Sequence, residues 1–179
     1  MFAYILLITI AMAHATSPPK IDPPSPGATH CPNDKSLDGL DMKKMLGEWH
    51  VVEVSMSPFL GLGPIQVKPI SGQTITFTED SGVHHLSYSV GRGSQKYKIV
   101  PEGHEINSNL GNEMKVAVAV TDYEHVALIV TCEQMFTISR VARVLLRTNF
   151  EDNQKYIDQA HEKLSEYGFD VKNMGKVDF

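Results

Sequence analysis

The chain lacks most of the features that announce a function outright. Of its 179 residues only two are cysteine and one is tryptophan. Two cysteines allow at most one intramolecular bridge, which excludes a disulfide-built scaffold. No Asn-x-Ser/Thr sequon occurs. The 16 Lys and Arg residues are outnumbered by 21 Asp and Glu, and they are scattered singly or in pairs such as Lys43-Lys44. Nucleic-acid binding wants a clustered basic patch, and a net charge of −5 supplies none. No spacing of His, Cys, Asp and Glu matches a metal site, so no metal or other cofactor is expected. No nucleophile–base or acid–base constellation is visible, so the chain is not read as an enzyme. What remains is the composition of a one-core globular domain, 42% hydrophobic and 21% charged.

The one long apolar run, Phe2 to Ala13, is too short to span a bilayer. Ala13-His14-Ala15 fits the small-x-small pattern of a signal-peptidase site, so residues 1–15 read as a secretory signal rather than a buried strand or helix. Residues 16–30 follow as a proline-rich leader. Pro18, Pro19, Pro23, Pro24 and Pro26 leave it too few donors for a sheet interior. The domain proper is expected over 31–179, secreted and not membrane-spanning. In an oxidising compartment Cys31 and Cys132 read as a bridge. The alternative is a reactive thiol, which needs a neighbouring base.

Short strand-like runs fill the middle of the chain. Met45 to Met56 carries Trp49, Val51, Glu53 and Ser55 on one face and His50, Val52, Val54 and Met56 on the other. Valines on both faces call for cover outside as well as inside. The 57–71 loop is rich in Gly and Pro yet holds Phe59, Leu60, Leu62 and Ile65, an apolar surface for burial or for a protein partner. Further strands are expected at Thr74–Thr78, Val83–Val90, Gln95–Val100, His104–Asn107, Glu113–Thr121, His125–Cys132 and Phe136–Thr148. Eight strands with turns every eight to twelve residues suggest an all-β barrel or sandwich. One helix, about 151–167, places Ile157, Ala160, Leu164 and Tyr167 on a single stripe, with Gly168 as its stop.

Three signals then fall in order. Gly47-x-Trp49 opens the first strand, Thr121-Asp122-Tyr123 sits at a turn between two late strands, and Arg147 ends the last strand. Together they resemble the lipocalins, nearest to apolipoprotein D and the insect bilin-binding proteins. Cys31-Pro32 and Asp170-Val171-Lys172-Asn173-Met174 fit the same likeness, which covers Cys31 to about Met174. The resemblance implies an eight-stranded antiparallel up-and-down barrel with one C-terminal helix packed outside. It implies that Arg147 stacks on Trp49 at the closed end, and it supports pairing Cys31 with Cys132. The chain departs from its relatives in lacking cysteines for a second disulfide.

Such a barrel holds one small ligand in a mostly apolar pocket. Period-two alternation nominates Ile75, Phe77, Leu86, Tyr88, Tyr97, Ile99, Ala117 and Ala119 as its lining, the alanines leaving room for the ligand. A carrier of a fatty acid, sterol, retinoid or bilin is the leading expectation. The rival is a protein-binding version acting through the 57–71 loop. An inward histidine among His84, His85 and His104 would suffice for haem, although His84 and His85, being adjacent on a strand, face opposite ways.

Overall fold

The computed structural model describes residues 34, 36–55, 71–99, 105–108, 113–134, 138–148 and 153–178, with backbone only over 95–99, 105–108, 113–114, 133–134 and 138–139. The signal and leader, Cys31, Glu151, Asp152 and all of the 57–71 loop except Ser71 lie outside the described residues.

Among the described residues eight antiparallel strands follow one another: β1 (Gly47–Ser55), β2 (Thr74–Asp80), β3 (Val83–Val90), β4 (Gly93–Ile99), β5 (Glu105–Ser108), β6 (Glu113–Thr121), β7 (Val126–Gln134) and β8 (Ile138–Leu146). Each pairs with the next in sequence, and β8 returns to pair with β1. That is an up-and-down barrel, closed so that its long strands leave no free edge. The short β5 pairs only the first residues of β6. Further along β6 the N-terminal segment takes over. Leu37 N donates to Val118 O at 2.8 Å, and Val118 N donates to Ser36 Oγ at 3.0 Å.

β1 divides its partners. Its first residues, Gly47 to His50, pair with β2, while Glu53 to Ser55 pair with a short final strand, β9 (Met174–Lys176). Between the two halves the β1–β8 register shifts between Val51 and Glu53. A bulge inserts one residue and reverses the alternation beyond it. Strict alternation put Glu53 inside with Trp49 and Val51, and Val54 outside. The bulge does the reverse: Val54 packs in the cluster of Trp49 and Val51, and Glu53 meets the outer helix.

The apolar side chains form two layers. Inside the barrel lie Met45, Trp49, Val51, Ile75, Phe77, Leu86, Val116, Val118, Ala127, Ile129 and Leu145. Outside, Val52, Ala119, Val126, Leu128, Val130, Ala142, Val144 and Leu146 meet Ala160 and Leu164 of the helix α2 (Asn153–Leu164). The outside cover that the two-sided valines of β1 call for comes only in part from this helix. It lies mainly over β7 and β8, with β1 contributing Val52 and the carboxylate of Glu53, 2.6 Å from His161 Nε2. Gly168, at φ 75°, ends the helical segment: its N–H donates to Ser165 O, and Phe169 N–H to Leu164 O.

Candidate functional site: the barrel floor and interior

The floor is built from three chain segments. A four-residue helix, α1 (Met42–Met45), is capped by Asp41, whose side chain accepts from Lys43 N at 3.1 Å. α1 hands its last carbonyls to the floor. Trp49, fully buried, donates from Nε1 to Met45 O at 2.9 Å. Arg147, just past β8, sets its guanidinium 4.1 Å from the indole centroid. Its Nη1 donates to Leu46 O at 2.6 Å, its Nη2 to Lys44 O at 2.7 Å, and Nε and Nη2 both reach Tyr123 O at 3.3 Å. Burial lowers the pKa of Arg147 from its ordinary value.

Gly47 is required here for two reasons. Its φ is +107°, a region that side chains avoid, and an added Cβ would sit 2.8 Å from Arg147 Nη1. The turn after β6 completes the ring. Asp122 Oδ1 accepts from the backbone of Glu124, His125 and Val126, and Oδ2 lies 2.8 Å from His125 Nδ1. Burial alone would raise the Asp122 pKa, but these hydrogen bonds outweigh it and the net shift is downward. Thr121 Oγ1 accepts from Tyr123 N at 2.9 Å, holding Tyr123 at φ 67° so that its hydroxyl accepts from Asp41 N. The structure thus brings Gly47, Trp49, Thr121, Asp122, Tyr123 and Arg147 into one assembly.

The expected lining residues divide. Ile75, Phe77 and Leu86 are each about 1% exposed and pack with Trp49. A side chain bordering a water-sized void keeps accessible area, so these three fill the bottom of the barrel. Tyr88 is partly buried higher up, where its hydroxyl donates to Gln73 Oε1 at 2.6 Å. Tyr97 is the register partner of Leu86, and Ile99 that of Ile106. Ala117 and Ala119 do not line the interior. Ala119 belongs to the outer layer beneath α2, and Ala117 pairs in register with Val130 of that same layer. Val116 and Val118 take the inward positions instead. Ala119 is small because α2 packs over it, and the register shift between Val118 and Val120 leaves Val120 on the outer face as well.

Sequence reasoning missed Arg143. It lies on β8 opposite Ile129 and Val54, both of the inner layer. Its guanidinium stands 4.8 Å from the Tyr88 ring centroid, and its Nη1 donates to the buried Thr131 Oγ1 at 2.8 Å. The signal was present: once Arg147 covers the inward Trp49, period two brings Leu145 and Arg143 to the same face. Arg140 was also missed. It faces outward, clamps Asp34 through Nε at 2.7 Å and Nη2 at 2.5 Å, and lies 4.7 Å from the Phe169 ring. Arg140 is the register partner of Cys132, so Asp34, three residues after Cys31, is held beside that cysteine. Among the described residues no cysteine is free.

Of the candidate haem ligands, His84 Nδ1 lies 3.8 Å from Glu79, while His85 pairs in register with Thr78 and Lys98. His104 lies outside the described residues. Among the described residues no group of three His, Cys, Asp or Glu side chains is placed to hold a metal, and no helix is long and apolar enough to cross a membrane.

The fold is that of the lipocalins. Solved structures that the chain resembles include lipocalin 12 from rat epididymis, at 16% identity and TM-score 0.62, covering 80% of this chain and 88% of that one. Insecticyanin from the tobacco hornworm Manduca sexta matches at 15% identity and TM-score 0.57, covering 84% and 86%. The siderocalin Ex-FABP, described as functioning through dual ligand specificities, matches at 14% and 0.58, covering 76% and 95%. No family model matches the sequence, and no curated protein matches it.

Proposed function

We propose that this chain is a secreted carrier that encloses one small hydrophobic ligand in the upper part of its barrel. The observation that carries the reading is the contrast along the inner layer. Its lower part is packed solid around Trp49, whereas Val54 and Tyr88, higher on the walls, remain only partly buried. A plugged floor beneath a partly open apolar interior suits a ligand that enters from the other end. The lipocalin fold supports the same reading, and so does the dual ligand specificity of the siderocalin neighbour.

Tyr88, Tyr97 and Ile99 remain proposed lining residues, joined by Val54 and Val116, while Ile75, Phe77 and Leu86 belong to the packed floor beneath. The proposal includes cleavage after Ala15, a leader over 16–30 and a carrier domain over 31–179. It includes a Cys31–Cys132 disulfide, supported by the Asp34–Arg140 clamp beside Cys132. Likeness to apolipoprotein D and the insect bilin-binding proteins belongs to the same reading. The direct test is native mass spectrometry of protein secreted by eukaryotic cells, followed by organic extraction of whatever is bound. A bound apolar molecule at one per chain is expected. An empty protein whose Trp49 emission responds to no lipid or bilin would refute the carrier reading.

A further inference from the structure

The three arginines of β8 and its end are provided for unequally. Arg140 has the Asp34 carboxylate, and Arg147 has three backbone carbonyls and an indole. Arg143 has, among the described residues, one hydroxyl and the face of Tyr88. Its Nε is buried and without a hydrogen-bond partner. A guanidinium in a low-dielectric interior wants its donors satisfied, and a carboxylate does so two at a time through parallel hydrogen bonds. Arg140, three residues earlier, displays that geometry: Asp34 takes its Nε and Nη2 edge side-on. The corresponding Nε of Arg143 is the one left unmet.

The surroundings select further. Gln73 and Thr131 are buried polar side chains inside an otherwise aliphatic wall of Val54, Val116 and Ile129. Thr131 Oγ1 accepts from Arg143 Nη1 and also donates to Val141 O at 3.3 Å, so both its roles are spent holding the guanidinium in place. The Tyr88 hydroxyl is turned to Gln73, leaving the ring face to the cation.

We propose that Arg143 is the anchor for the acidic head of a monocarboxylate lipid, with Tyr88 and Thr131 as its positioning residues. This rests on the carrier reading and gives its cargo a chemical class. Because the interior below Arg143 is filled by Trp49, Phe77, Leu86 and Leu145, the carboxylate enters first and the tail points toward the open end.

The test compares two probes on the mature protein: cis-parinaric acid and its methyl ester, each followed by its own fluorescence. The acid should bind about tenfold to a hundredfold more tightly, because only the ionised carboxylate completes a charged, two-oxygen pair with the guanidinium. Arg143→Met should abolish the preference, so that acid and ester bind alike. Arg143→Lys, which keeps the charge but not the side-on pair, should fall between. Equal binding of acid and ester by the unaltered protein would overturn the anchor and leave the carrier reading standing, and needs no variant to fold. A preference that survives Arg143→Met in folded protein would overturn the assignment to this residue. Failure of both probes to bind would overturn the carrier reading and the anchor with it.

Discussion

Replacing Arg147 by Met removes the guanidinium while keeping most of the side-chain stem in place, which isolates what the charge contributes to the floor. Two interactions decide the size of the loss. The stack on Trp49, at 4.1 Å, is partly desolvated and worth about 0.5–2 kcal/mol. The bond from Nη1 to Leu46 O is charge-assisted and partly buried, in the range of about 1.5–3 kcal/mol. The bond to Lys44 O lies at the surface, where water replaces it. The expected cost is therefore about 2–5 kcal/mol, or a fall in Tm of about 4–20 °C for a domain of this size. Equilibrium urea unfolding should be followed by far-UV circular dichroism, because Trp49 emission will change on its own account when the stack is lost. The midpoint should drop with the slope unchanged. Gly47→Ala provides an internal control. It should be less damaging in the Arg147→Met background, where the 2.8 Å contact is gone and only the strain of positive φ remains. A loss below about 0.5 kcal/mol for Arg147→Met, within the range of ordinary surface substitutions, would refute the view that this arginine seals the barrel.

Asp122 has a folded-state pKa below its unfolded value, so its contribution is fully present above the ordinary value of 3.8 and is lost as pH falls through the depressed one. Asp122→Ala should thus cost about 1–2 kcal/mol at neutral pH, and its deficit relative to the unaltered protein should shrink in acid titrations followed by circular dichroism. A deficit that is the same at neutral and strongly acid pH would contradict this. Ala119→Leu should lower stability by about 1–3 kcal/mol through overpacking beneath α2 while leaving cis-parinaric acid binding intact. The opposite pattern, altered binding with unaltered stability, would return Ala119 to the interior. Alkylation of the unreduced, denatured protein should label neither cysteine. Reduction should then destabilise the fold by about 4–5 kcal/mol less any strain, as expected for a closed loop of about a hundred residues. Labelling of both cysteines before reduction would dismiss the bridge.

What the sequence made legible was whatever depends on local alternation and local turns. The strands fell near their observed places because β-branched runs and turn residues mark them without reference to the rest of the chain. The floor was legible as well, since Gly47, Trp49, Asp122 and Arg147 each answer a requirement of backbone or charge that few other residues meet. Facing was harder to read, because alternation is only as good as its last bulge. One inserted residue after Val51 turned Glu53 outward to His161 and Val54 inward. Ala117 and Ala119 were misread for a different reason. A small residue says only that something comes close, and over Ala119 it is a helix rather than a ligand.

β8 escaped that difficulty, and it carries the functional argument for this reason. Its pairing with β7 runs without a register shift from Ile138 to Leu146. One phase therefore holds from the floor upward: Arg147 over the indole, Leu145 in the packed layer, then Arg143. At about 3.3 Å per residue, four residues set the two arginines about 13 Å apart along the strand. The lower one is fully engaged by backbone and indole and has nothing left for a ligand. The upper one stands where the packed layer gives way to partly buried Tyr88 and Val54. From Arg143 to Ile138 there remain five residues, about 16 Å of strand, or about 12 Å along the barrel axis once strand tilt is allowed for. On the proposed anchor, an acyl chain tethered by its carboxylate at Arg143 would be enclosed over that depth, and a longer one would extend to the rim. Affinity should therefore depend steeply on the carboxylate at every chain length, and on chain length only until the wall is exhausted.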